Sequence, residues 1–221
     1  MNLEKSSVVI FSGGLDSVGL VGFCLEHGVR TFPIFINRGQ ENLGKESRAV
    51  EYFDKFFNDR HSGLYNQTFK ASVSTPPEEI KKNFKSPYRH ALRNLDLVTQ
   101  GLRYATCLFG QGVEMEAVYV GGNSGDVASD NSEEFWRDVE VVAESGLREF
   151  NFSPKVYAPF QRMSWDKRNI ISSSYASDVP LHLSWSCWKN EEKHCGECDP
   201  CRRRKEAFKL ASVNDLTGYL K

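Results

Sequence analysis

Twice in this chain an uninterrupted apolar run ends in a pair of glycines. Val8-Val9-Ile10-Phe11 passes through Ser12 into Gly13-Gly14, and the run EAVYV at 116–120 passes into Gly121-Gly122. A strand whose side chains are apolar on both faces has no water-facing side. It belongs inside a sheet covered by helices above and below, which is the setting of parallel strands. The glycines let the backbone turn tightly at the strand's carboxyl end and admit a ligand where a β-carbon would stand.

The rest of the chain alternates in the same way. The 16–28 stretch reads as a helix with Val18, Val21 and Leu25 on one face and Gly28 as its stop. TFPIFIN at 31–37 is a second strand, and Leu43, Val50, Phe53 and Phe57 fall at helical spacing behind it. Residues 58–90, polar and carrying Pro76-Pro77 and Pro87, predict irregular structure. A long helix follows with Leu92, Leu95, Thr99, Leu102, Ala105 and Phe109 as its buried stripe. Ser132 opens another that carries Phe135, Val139 and Val142. KVYAPF is a fourth strand, Ser164 a cap for the helix holding Ile170 and Ile171, and the segment after Cys201 is helical through Ala211. The fold class is α/β: a Rossmann-like parallel sheet with a C-terminal helical segment whose four clustered cysteines, between 187 and 201, read as zinc-binding. In such sheets ligands bind beyond the carboxyl ends of the strands. The turns 13–14 and 121–122 therefore line one edge.

The 221 residues suffice for one domain, 1–180, and a smaller packed segment, 181–221. With 28 Lys and Arg against 29 Asp and Glu, net charge is −1, so no global basic field invites nucleic acid and no direct contact with it is expected. The cluster Arg202, Arg203, Arg204 and Lys205 reads as a solvated helix face. No apolar run approaches the ~18 residues of a membrane helix, and no signal-peptide pattern opens the chain. A cytoplasmic protein is expected, whose six cysteines stay reduced. Cys24 and Cys107 stand alone, and packing as small apolar residues is expected of both.

SGGLDS at 12–17 has the makings of a phosphate cradle. Ser12, Gly13, Gly14, Leu15, Asp16 and Ser17 bring backbone N–H groups, two hydroxyls and the start of a helix whose dipole favours an anion. Asp16 suits orientation of the loop or of a magnesium ion. No lysine follows at Walker spacing, and G-x-G-x-x-G is missing. Near the other end, Cys187, Cys195, Cys198 and Cys201 are spaced x7, x2 and x2. Four thiolates fill a tetrahedral zinc site and leave no open position for chemistry. His194 in place of one cysteine, an iron–sulfur cluster and a dithiol redox pair are the competing readings.

SGGLDS resembles the loop of the ATP pyrophosphatase superfamily, whose members cleave ATP between the α- and β-phosphates. Together with SCWKNEEKHCGECDPCRRRKEAF it resembles the QueC family of 7-cyano-7-deazaguanine synthases, through Ser186, Cys187, Cys195, Gly196, Cys198, Cys201, Arg204, Ala207 and Phe208. RGQE at 38–41, SPYRHAL through Pro87, Arg89 and Leu92, VGGNSGD, SEEF and YAPFQRMS fall in the family's order. The resemblance implies an adenine nucleotide alpha hydrolase-like fold using ATP, Mg2+ and Zn2+, and commonly a homodimer. It implies adenylation of 7-carboxy-7-deazaguanine, attack by ammonia, and dehydration of the amide to a nitrile. Asp16 and Ser17 would act on the phosphates, Arg89 on the ATP side and Asp126 on the substrate side. The chain departs from the family at Glu41, Asn42, His90, Trp165, with Lys167 two positions on, and in a shorter loop, DVASDNSEE. These lie around the acceptor. A relative that attaches a deazaguanine to a protein amine in antiphage defence is therefore the alternative. A sulfurtransferase acting on tRNA, with Cys107 as its spare thiol, and a non-catalytic zinc-ribbon module are further alternatives.

Overall fold

The computed structural model describes residues 3–74, 77, 79 and 91–221. Five strands, β1 (Ser6–Ile10), β2 (Arg30–Asn37), β3 (Phe69–Ser72), β4 (Ala117–Tyr119) and β5 (Lys155–Tyr157), form one sheet in the order β3-β2-β1-β4-β5. Every pairing is parallel, with Val8 opposite Phe32 on one side and Val118 on the other. Among the described residues the longer helices are α1 (Leu15–Glu26), α2 (Leu43–Arg60), α3 (Arg93–Gly110), α4 (Glu133–Gly146), α5 (Lys167–Ala176) and α6 (Asp199–Leu210). No helix among the described residues is long and apolar enough to cross a membrane.

The apolar runs are explained by two cores, one on each face. Val9, Phe35, Ala117, Tyr119 and Tyr157 point to the side of α1, α2, α5 and α6. Val8, Ile34, Ile36, Val118 and Val156 point to the side of α3 and α4. Alternation in direction persists along β1, β2, β4 and β5, but both directions are largely apolar because both are buried.

Several elements differ from the sequence reading. The sheet has five strands, not four: β3 lies within the stretch expected to be irregular. Among the described residues it pairs only with β2, as Ile34 with Phe69, and its residues are largely exposed. An edge strand needs no apolar run, so Phe69-Lys70-Ala71-Ser72 carried little signal. On α3 the buried residues are Val98, Gly101, Ala105 and Leu108, whereas Leu92 and Phe109 are exposed. Close approach decided that face. A β-carbon at Gly101 would stand 2.8 Å from Ile10 Cδ1 and 2.9 Å from Val118 Cγ1, so the helix presents its smallest residue to the sheet. On α4, Trp136 and Ala143 join Val139 inside while Val142 faces water; Ser132 caps it, accepting from Phe135 N at 3.1 Å.

The cap of α5 is Asp166, not Ser164. Its carboxylate accepts from Asn169 N and its own N–H donates to Asn169 Oδ1, both at 3.1 Å. The KVYAPF strand stops at Tyr157, because Pro159 starts a single helical turn. Gly28, at φ +74°, follows α1 as expected. Cys24 is buried, but Cys107 is exposed.

The basic cluster is not uniformly solvated, since Arg204 is fully buried. Its Nη1 donates to Ser184 Oγ at 2.9 Å and Ser186 Oγ at 3.0 Å, its Nη2 to Leu181 O at 2.5 Å and its Nε to Thr217 Oγ1 at 3.1 Å. Four acceptors satisfy a group whose burial would otherwise be very costly. The same burial lowers its pKa. One helical turn further on, Ala207 and Phe208 enter the core of α1 and α2.

Gly19 marks where α1 meets α5. A β-carbon there would collide with Ile170 Cγ2, and Ser174 Oγ would be 3.2 Å away. Gly19→Val should therefore lower stability by roughly 1–3 kcal/mol through overpacking, read as a reduced urea midpoint at unchanged slope.

Candidate active site and metal centre

The strand order reverses between β1 and β4, and a cavity of about 850 Å³ opens at their carboxyl ends. This is the crevice where open α/β sheets take ligands. The 12–17 loop forms its floor. Gly13 sits at φ +72°, a conformation that only glycine adopts freely. The loop closes on itself: Ser17 Oγ donates to Gly14 O at 3.0 Å, Ser12 N donates to Ser17 Oγ at 3.3 Å, and the two hydroxyls lie 3.3 Å apart. Gly14, before α1, offers no side-chain cap, so the first N–H groups of α1 remain for a ligand. The second glycine turn abuts this one. A β-carbon at Gly121 would stand 3.2 Å from Ser17 N.

Charge is arranged around this floor. Asp16, in the first turn of α1, is ion-paired through Oδ2 with Lys167 Nζ. Its Oδ1 is buried without a partner. Lys167 is the first residue of α5, where a helix dipole disfavours a cation, and Asp16 supplies the compensating charge. On the β2 side Glu46 is buried. It accepts from Gln40 Nε2 at 2.6 Å and Asn42 Nδ2 at 3.1 Å, with Arg38 Nη2 3.9 Å away. Burial raises its pKa, against the lowering by Arg38 and the two amides. On the β4 side Asp126 lines the cavity, accepts from Asn123 N at 3.0 Å and Asn131 Nδ2 at 2.9 Å, and lies 3.9 Å from Arg203 Nη1.

Ser12, Gly14, Leu15, Asp16, Ser17 and Asp126 thus line one cavity, with Gly13 turning the backbone beneath it. Arg89 and His90 lie outside the described residues. Glu46 escaped the sequence reading because a glutamate on an amphipathic helix reads as solvated. It is buried because α2 rests on the phosphate loop: a β-carbon at Gly13 would stand 3.0 Å from both Glu46 O and Ala49 Cβ. Asn42, expected on the acceptor side, also donates to Cys187 O at 2.8 Å and so braces the cysteine segment. Trp165 stacks on Phe160 with ring centroids 5.6 Å apart. Cys107 lies ten residues, or ~15 Å, along α3 from Leu97, which lines the cavity.

The four cysteine sulfurs Cys187, Cys195, Cys198 and Cys201 lie within 4.8 Å of one another. Two of the separations are 3.8 Å and 3.9 Å, close to the ~3.8 Å edge of a tetrahedron drawn at the ~2.3 Å zinc–sulfur distance. Lys189 N and Cys195 N donate to Cys187 Sγ at 3.4 Å, and Cys198 N donates to Cys195 Sγ at 3.3 Å. Such donors favour thiolates, and the set fits a metal held by sulfur alone. His194 is not in the set. It is buried, its Nε2 accepts from Ser186 N at 3.0 Å, and its ring lies 4.3 Å from that of Trp185. Burial and the Arg204 charge lower its pKa to about 3, which keeps it a neutral acceptor. The cysteine segment reaches the phosphate loop directly, through Trp185 N donating to Gly13 O at 2.9 Å.

Comparison with known proteins gives this geometry its setting. A protein named 7-cyano-7-deazaguanine synthase from Methanothrix thermoacetophila is 28% identical over 226 residues, covering 96% of this chain and 98% of that protein. One of the same name from Thermoplasma volcanium is 29% identical over 233 residues, covering 99% and 92%. Among solved structures, NMN synthetase from Francisella tularensis superposes with a TM-score of 0.45 at 13% identity, covering 95% of this chain and 78% of that one. The family model described as queuosine biosynthesis protein QueC matches residues 6–212. That span takes in both the phosphate loop and the four cysteines, and the chain belongs to the QueC family.

Proposed function

We propose that this chain is an ATP-dependent enzyme that adenylates the carboxylate of 7-carboxy-7-deazaguanine and joins it to ammonia, giving 7-cyano-7-deazaguanine. The observation that carries the reading is the self-bonded loop 12–17 on the floor of a cavity large enough for nucleotide and heterocycle together. Relatives named 7-cyano-7-deazaguanine synthase, matched along nearly their whole length, support it. In this reading residues 1–180 handle the nucleotide and 181–221 form the metal-binding segment packed on them.

The loop hydroxyls of Ser12 and Ser17 and the free N–H groups of α1 hold the β- and γ-phosphates. A carboxylate oxygen of the substrate attacks the α-phosphorus, the bond to the bridging oxygen breaks, and pyrophosphate leaves with its charge held in the loop. Lys167 turns from Asp16 to the phosphates. A magnesium ion, when bound, neutralises pyrophosphate charge, and the carboxylate of Asp16 is the group to hold it. Ammonia then attacks the acyl carbon, AMP leaves, and the amine proton is lost to a base. Glu46, buried beside the cavity, is the carboxylate for that step. A second adenylation on the amide oxygen lets AMP leave again as the nitrile forms with loss of the two nitrogen protons. Asp126 stands on the heterocycle side. The four cysteines hold zinc, closed to substrate and serving as structure.

Asp16→Ala or Ser17→Ala should each cut formation of AMP and pyrophosphate at least ~100-fold while circular dichroism stays unchanged. Release of ADP and phosphate by the unaltered protein would exclude the reading. Exchange of labelled pyrophosphate into ATP should require 7-carboxy-7-deazaguanine and not occur with guanine, which has no carboxylate to activate. Mass spectrometry of the product identifies the nucleophile: a nitrile with two AMP per turnover is expected with ammonium. An amide that persists, with a deazaguanine mass on a partner protein, would instead mark attack by a protein amine. Cys198→Ser should yield metal-depleted, poorly soluble protein, since apparent zinc binding energies reach ~10 kcal/mol or more; elemental analysis of the unaltered protein should return one zinc per chain, and iron with sulfide would refute this.

A further inference from the structure

α6 is fixed in rotation by two inward side chains one turn apart, Cys201 in the thiol cluster and Arg204 among its four oxygen acceptors. Arg203 lies ~100° round the helix from Arg204 and lines the cavity. Its Nη2 donates to Gly125 O at 2.7 Å, and its Nη1 is 3.9 Å from Asp126 Oδ1. Both partners belong to the stretch 123–131 that walls the β4 side of the cavity.

That stretch is anchored at its ends. Ser124 N donates to Trp165 O at 2.8 Å, and Asn94 donates from Nδ2 to Asp130 O at 2.9 Å. Within the loop Asn123, Gly125, Asp126 and Asn131 are hydrogen-bonded to one another, and Gln161 Nε2 donates to Asn131 O at its far end. Among the described residues, the hydrogen bond that reaches 125–128 from outside the loop comes from Arg203. The cation is therefore the tie between the helix that begins in the cysteine centre and the wall that carries Asp126.

We propose that Arg203 is a positioning residue that transmits the state of the four-cysteine centre to the loop 123–131 and so sets affinity for the heterocyclic carboxylate. The identity of that carboxylate rests on the function proposed above; the coupling itself does not. A charge-assisted bond to a backbone carbonyl holds a loop in place without contacting the ligand, and a wall fixed in advance need not be ordered on binding.

Hydrogen exchange read by mass spectrometry tests this on the metal-loaded protein. In Arg203→Leu the amides of 124–128 should exchange about tenfold faster or more, with metal content unchanged. Stripping the metal from unaltered protein with a chelator should speed the same amides, and stripping it from Arg203→Leu should add nothing further there. KM for the carboxylate should rise about tenfold at constant ATP affinity, and Arg203→Lys should recover part of it. If Arg203→Leu fails to fold, Arg203→Gln, which keeps a donor but no charge, is read in the same way. Unchanged loop exchange in the variant, or chelation that loosens the loop equally with and without Arg203, would overturn the proposal. Failure of the unaltered protein to turn over the deazaguanine would remove the proposed substrate and leave the exchange result to decide the coupling.

Discussion

The hydrogen bond from Trp185 N to Gly13 O ties the two halves of the site together. It fixes the carbonyl of the glycine on which the phosphate loop turns, and it comes from the segment that leads into the first cysteine. The same segment braces α2 through Asn42 and Cys187 O and holds the β4 wall through Arg203. Three walls of one cavity thus hang from a segment that has almost no regular structure before α6. Such a segment needs another source of rigidity. Four clustered cysteine sulfurs that fit a metal, and a guanidinium with four buried acceptors, provide it.

The same economy governs the buried charges. Glu46 and Arg204 are withdrawn from water and Asp16 is partly so, and each is matched differently. Arg204 has neutral oxygens on every side and serves packing. Asp16 has one oxygen paired with Lys167 and one without a partner, an arrangement that a bound ligand can complete. Glu46 is held by two amides and keeps a raised pKa. Satisfied groups hold the fold, whereas the incompletely satisfied one lines the cavity.

The sequence made the phosphate loop, the cysteine set and the parallel sheet legible because each depends on residues close together. Glycines after an apolar run and cysteines separated by two residues are local signals. Long-range contacts hid the rest. Glu46 looks solvated until α2 is laid across Gly13, Arg204 until the 181–186 stretch folds round it, and Gly101 looks like a flaw until Ile10 and Val118 are brought against it. Edge strand β3 was hidden for the opposite reason, since nothing buries enough of it to demand an apolar pattern.

The order of these parts along the chain has a consequence for how the protein is made. The phosphate loop follows the first strand, but Trp185, which braces it, Cys187, which braces α2, and the arginine that ties the far wall come after all five strands. Domains generally fold as they emerge during synthesis. A nascent chain that has completed its sheet therefore still has an unbraced loop and a loose wall. The loop thus gains its bracing only near the end of synthesis, with the cysteine segment, and a ribosome-bound chain carries an unfinished site.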